Sequence, residues 1–163
     1  MTAVTPDDLA SYLARFVEWA ERLAITFVGI DDALVLGRER DGSLVIDLEG
    51  RFPAGRRTPP AELEVVERWS PDAGDGLVRV EYAYELRHRS LDYRRAFHHH
   101  DERHFLRQFI VATHEHCEAT MGVEACGHSF GLPARDAFDG VTRLYDLWLT
   151  GAKPDCATLR CLG

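Results

Sequence analysis

Residues 77–100 read LVRVEYAYELRHRSLDYRRAFHHH, and the alternation in this stretch decides the fold. Val78, Val80, Tyr82, Tyr84 and Leu86 fall on one face, and Arg79, Glu81, Ala83, Glu85 and Arg87 on the other. A period of two marks a β-strand with one buried face. A short turn at His88–Ser90 leads into a further strand, with Leu91, Tyr93 and Phe97 inward and Asp92, Arg94, Ala96 and His98 opposite. Strands joined by so short a connection pair antiparallel.

The flanking sequence extends this into a meander. Upstream, Ala33–Glu39 and Ser43–Glu49 flank Asp41-Gly42, a hairpin signal, and Leu63, Val65, Glu67 and Trp69 share one face of a third strand. The segments GRFPAGRRTPP (50–60) and PDAGDG (71–76) are turns or loops by composition. At the N-terminus Thr5 caps a helix, Pro6 suits its first position, and Asp7 and Asp8 favour the positive end of its dipole. Leu9, Tyr12, Leu13, Phe16, Ala20 and Leu23 give that helix an apolar stripe, and Gly29 is expected to stop it.

After the strands, Phe105, Leu106, Phe109, Ile110, Thr113 and Cys117 follow helical spacing from about Asp101, a loop runs from Gly122 to Pro133, and Arg135–Thr150 reads as a last amphipathic helix. The expected architecture is a single α+β domain over 1–163. It holds an antiparallel meander of about five strands, with an N-terminal helix and two C-terminal helices packed on it.

Composition narrows the function classes. The formal net charge is −8, distributed as −7 over residues 1–75, +2 over 76–110 and −3 over 111–163. A protein that coats nucleic acid by charge alone is basic overall, so binding of RNA here must be local. No apolar stretch reaches the roughly 18 residues of a membrane span, and MTAVTPDDLASYLARF lacks the basic and apolar regions of a signal peptide. These features predict a cytoplasmic protein without membrane contact, in which the four cysteines are thiols or metal ligands rather than disulfides.

The chemistry concentrates between Arg87 and Arg107, where six arginines and five of the eight histidines share 21 residues. Arginine clamps phosphates and carboxylates, and histidine transfers protons near neutral pH. His98, His100 and His104 are the candidate acids and bases, with Glu85 assisting, and Arg87 and Arg94 are the candidate phosphate-binding groups. That set matches what metal-independent cleavage of RNA by its own 2′-hydroxyl requires. His100 with His104, and His114 with Glu118, stand four apart, as helical neighbours do. The plain alternative is a solvated sheet face carrying ion pairs.

A second donor set is metal-binding. His114, His116 and Cys117 precede Cys126, His128, Cys156 and Cys161, and the last four form the candidate structural zinc site. No HExxH pattern is present. Zinc is then an optional stabiliser and no cofactor is required for the cleavage reading. A third class is non-enzymatic binding of a basic partner protein through the acidic N-terminal part, with Asp7, Asp8, Glu18 and Glu21.

Tyr82-Ala83-Tyr84, then Asp92-Tyr93-Arg94, then His98-His99-His100 and His104 resemble the small TumE-type toxins of bacterial toxin–antitoxin modules. Those toxins carry a Tyr-x-Tyr strand, an Arg-Tyr-Asp-like strand and a histidine-rich stretch. The resemblance covers about 25 residues and implies a compact α+β nuclease-like toxin held by an antitoxin partner. The segment from His114 to Gly163 is similar to an uncharacterised family of actinobacterial proteins, and no activity attaches to it.

Overall fold

The computed structural model describes residues 3–28, 36–55, 58–74, 76–100, 106–107, 112–123, 126–130 and 133–150, with backbone alone for 36 and 126–130. The chain is α+β. Helix α1 (Pro6–Arg22) precedes β1 (Thr26–Phe27), β2 (Leu36–Arg38), β3 (Leu44–Phe52), β4 (Ala61–Pro71), β5 (Leu77–His88), β6 (Tyr93–His100), β7 (Thr113–Glu118) and β8 (Cys126–Phe130), and helix α2 (Ala137–Leu149) follows. The strands form one antiparallel sheet in the order β1-β3-β4-β5-β6-β7-β8, and β2 also pairs with β3. No helix among the described residues is long and apolar enough to cross a membrane.

Local chemistry explains the elements that begin and join this fold. Thr5 and Asp8 form a reciprocal capping box at the start of α1, and Pro6 occupies its first turn. The helix ends at Arg22, well before Gly29, because Leu23 turns its N–H onto Ala20 and Glu21 and Ala24 takes a left-handed φ of 58°. Glu39 donates its N–H to Ser43 across the Asp41-Gly42 turn, where Gly42 adopts φ 88°. Only a residue without a Cβ takes that conformation cheaply.

Both helices cover one face of the sheet. Leu9, Leu13, Phe16 and Ala20 of α1 join Val141, Leu144 and Trp148 of α2 over Ile46, Leu48, Leu63, Val65, Tyr84 and Leu86. Phe138 welds the helices together, with ring centres 5.9 Å from Tyr12, 5.4 Å from Phe16 and 5.2 Å from Trp19. Gly140 lies so close to the Tyr84 ring that a Cβ there would stand 2.1 Å from Cδ2.

A polar knot lies inside this core. Glu67 is wholly buried and accepts from Arg79 Nη1 (2.8 Å), Tyr12 Oη (3.0 Å), Trp69 Nε1 (3.1 Å) and the Tyr84 hydroxyl. Arg79 Nη2 donates to the carbonyls of Ala134 and Arg135, which ties the entry of α2 to the sheet. Strict alternation places Arg79 on the opposite face. A β-bulge corrects it: Arg68 pairs with Glu81 but Trp69 pairs with Arg79, so one residue, Val80, is skipped and Arg79 turns inward.

The C-terminal half departs most from expectation. Leu106 and Arg107 are helical, but residues 113–118 form strand β7 rather than the end of a helix, and β8 lies within the segment expected to be a loop. One C-terminal helix with described bounds therefore stands where two were expected, and among the described residues the sheet has eight strands instead of five. The reason is tertiary: β6 offers an edge, and Arg94–His99 pair residue by residue with Glu118–Thr113. Cys117 is fully buried and disulfide-bonded, in register with Cys126, which corrects the expectation of a thiol at that position.

Candidate metal centre

The register of β5, β6 and β7 builds the site on the face away from the helices. His98 pairs with His114 and Ala83, Ala96 with His116 and Glu85, and His100 with Glu81. Side chains directly opposite in adjacent strands share a face. Four imidazoles from β6 and β7 thus converge although they are far apart in sequence.

The ligating atoms of His98, His114 and His116 all lie within 4.8 Å of one another. His114 Nε2 and His116 Nε2 are 3.0 Å apart. Ring centres are separated by 4.6 Å for His98–His116, 4.9 Å for His114–His116 and 5.4 Å for His98–His114. His100 adds a fourth ring, 5.4 Å from both His98 and His114, and its Nδ1 meets Glu81 Oε1 at 2.8 Å.

Electrostatics favour the donor form of His98. Burial, then the neighbouring His116, His114 and His100 and the Arg94 guanidinium, hold His98 well below the ordinary histidine value. A neutral imidazole is the form that ligates metal. His98 Nε2 is a buried nitrogen without a hydrogen-bond partner among the described residues. An unsatisfied buried polar atom is costly, and an ion that engages it removes the cost.

Beyond Ala96 the same face carries a ladder of ion pairs. Arg94 donates to Glu85 (2.6 Å) and Glu118 (2.5 Å), and Arg87 donates to Glu64 (2.6 Å) and to Glu85. Burial acts against the Arg94 charge, but the two carboxylates hold its pKa above the ordinary arginine value. Glu118 also accepts from the Gly122 N–H at 2.8 Å. These guanidiniums are engaged with carboxylates.

The sequence-derived catalytic set is therefore assembled in part. His98, His100, Glu85, Arg87 and Arg94 share the face, whereas His104 lies outside the described residues. The side chains of Cys126 and His128, and all of Cys156 and Cys161, also lie outside them. His114 and Glu118 do share a face, but through the period of a strand rather than the turn of a helix. The grouping of His114 and His116 with His98 was not foreseen. Its signal is the alternation His114, His116, Glu118 in THEHCE, read with period two.

No family model matches the chain, and no curated protein or solved structure matches it either. The TumE resemblance rests on the quoted residues alone.

Proposed function

We propose that this protein binds a divalent transition-metal ion on the sheet face opposite its helices, through His98, His114 and His116. The convergence of three imidazole donors within 4.8 Å carries the reading. Zinc-to-nitrogen bonds of about 2.0–2.1 Å place two ligating nitrogens about 3.3 Å apart in a tetrahedral sphere. The 3.0 Å separation of His114 and His116 is close to that. Imidazole suits zinc, copper, iron and nickel, so zinc is the natural first probe.

The test is equilibrium dialysis of tag-free protein against zinc, with a His98→Ala, His114→Ala, His116→Ala variant in parallel. One ion bound per chain by the wild type, stripped by EDTA and absent from the variant, is expected. Equal zinc in both proteins, or none in either, overturns the reading.

A second reading is metal-independent ribonuclease action, favoured by the placement of His98, His100, Glu85, Arg87 and Arg94 on one face. The carboxylate partners of both arginines weigh against it, since a phosphate must displace them. Cleavage of mixed-sequence RNA in EDTA, lost in a His98→Ala, His100→Ala variant, would establish it. Uncleaved RNA with and without EDTA would remove it.

A further inference from the structure

We propose that a cleft beside β3, on the sheet face away from the helices, binds a free α-amino acid with an apolar side chain, its ammonium on Glu49 and its carboxylate on Arg51. The inference is independent of the metal centre and goes beyond it.

The register puts two rows of charge side by side. Glu49, Glu64 and Glu85 stand opposite one another across β3, β4 and β5, and Arg51, Glu62 and Arg87 form the next row. Like charges directly opposite repel, and the carboxylate row is balanced from its neighbour. Arg87 donates to Glu64 and Glu85, and Arg89 donates to Glu62 at 2.6 and 2.9 Å. Glu49 and Arg51 are left over. Both are exposed, and neither makes a hydrogen bond or an ion pair among the described residues.

These two charges line one cavity. A recess of about 220 Å³ is bounded by Glu49, Arg51, Glu64 and Arg87 among others. A second, of about 350 Å³, adjoins it at Arg51 and has Pro59, Pro60 and Ala61 on its wall. Small-molecule sites run to about 300–1,000 Å³, so the cleft suits a small ligand with an apolar tail.

The electrostatics differ between its ends. Burial pushes the Glu64 carboxyl up against the pull of Arg87, and Glu85, Asp47 and Glu49 add to the rise. Two residues away, Arg89 holds the Glu62 carboxyl below its usual range, helped by Arg87 and Arg51. One end therefore favours a cation and the other an anion.

An α-amino acid matches that pattern because it carries an ammonium and a carboxylate on one carbon. Alternate residues of a strand stand about 6.5–7 Å apart. Charge-assisted hydrogen bonds of about 2.7–2.9 Å at each end let one small zwitterion bridge that distance. No existing ion pair has to open, in contrast with a phosphate at Arg87 or Arg94. The prolines beyond Arg51 offer the surface for the side chain.

Saturation-transfer NMR of the full chain with leucine, valine, proline and phenylalanine, added singly, tests this. Binding of at least one is expected. The tightest is then compared by calorimetry with its deaminated and decarboxylated analogues (4-methylpentanoate and 3-methylbutylamine for leucine). Each analogue should bind about 10–100-fold more weakly, the value of one hydrogen bond to a charged group. Glu49→Gln and Arg51→Gln should each weaken the amino acid by the same factor, and both positions are exposed, so the fold should be kept. The deaminated analogue should lose further affinity in Arg51→Gln and none in Glu49→Gln. No signal from any of the four amino acids overturns the proposal. So does binding that is unchanged in both variants, or an analogue that binds as tightly as its parent.

Discussion

Glu67 on β4 and His98 on β6 are polar groups on opposite faces of one sheet, and their surroundings answer burial in opposite ways. Glu67 meets an arginine, two tyrosines and a tryptophan, and the cation that balances it is bound in turn to two backbone carbonyls. His98 meets other imidazoles, and its Nε2 is left without a partner among the described residues. A polar group saturated by protein is part of the framework, since its hydrogen bonds are complete before anything binds. A buried nitrogen left without a partner and ringed by imidazoles is an arrangement that an ion could complete. The face under α1 and α2 carries a hydrogen-bonded framework, and the opposite face carries the histidine cluster.

The largest expected effect breaks the framework side. Glu67→Ala leaves the Arg79 charge buried and unpaired, at a cost of about 3–5 kcal/mol. Urea unfolding of the metal-free protein measures it, and a loss below about 1 kcal/mol would show that the knot is not the framework proposed here. On the other face, His98→Ala should change metal-free stability far less. Zinc at about 100 times its dissociation constant should stabilise the wild type by about 2.7 kcal/mol, and this gain should vanish in His98→Ala. A zinc-dependent rise of equal size in both proteins would erase the contrast between the faces.

The framework was more legible in sequence than the site, for physical reasons. Thr5-Pro6, Asp41-Gly42 and the alternation of Leu44–Leu48 and Leu63–Trp69 are local signals, and each marks a real element. The knot was half visible: Glu67 stands in a core-facing position, but its partner Arg79 reaches it only through a bulge, which leaves no mark in the alternation of residues 77–87. The imidazole cluster depends on register between β6 and β7, which spacing along the chain does not encode. Residues 105–117 fit a helical period, whereas 113–118 fit a strand period equally well. Pairing with β6 decides between them.

A third effect sharpens the comparison through α2. Replacing a helix-interior glycine by alanine ordinarily stabilises by up to about 1 kcal/mol. At Gly140 the new Cβ would collide with the Tyr84 ring, whose hydroxyl belongs to the Glu67 knot. Gly140→Ala should therefore destabilise by about 1–3 kcal/mol, with zinc affinity unchanged because Tyr84 faces away from the histidines. A stabilised Gly140→Ala protein would show that α2 does not press on the knot as described.

The smallest effect tests how far the knot reaches into α1. Tyr12 spans the two helices: its hydroxyl donates to Glu67 at 3.0 Å and accepts from the Ala137 N–H at 2.8 Å, at the first residue of α2. Thr5 lies two turns earlier, where its hydroxyl accepts from the Asp8 N–H and the Asp8 carboxylate returns the bond to the Thr5 N–H. Thr5→Ala removes this cap and should cost about 1 kcal/mol. The loss should add to that of Gly140→Ala in the double variant if the first turn frays alone, because distant sites without shared partners are additive. A double-variant loss well below the sum would mean that fraying of α1 already displaces Tyr12 and loosens the knot that Gly140→Ala strains. In that case the saturated face is one cooperative unit from the first turn of α1 to the entry of α2, and zinc affinity, set by β6 and β7, should still be unchanged in every one of these variants.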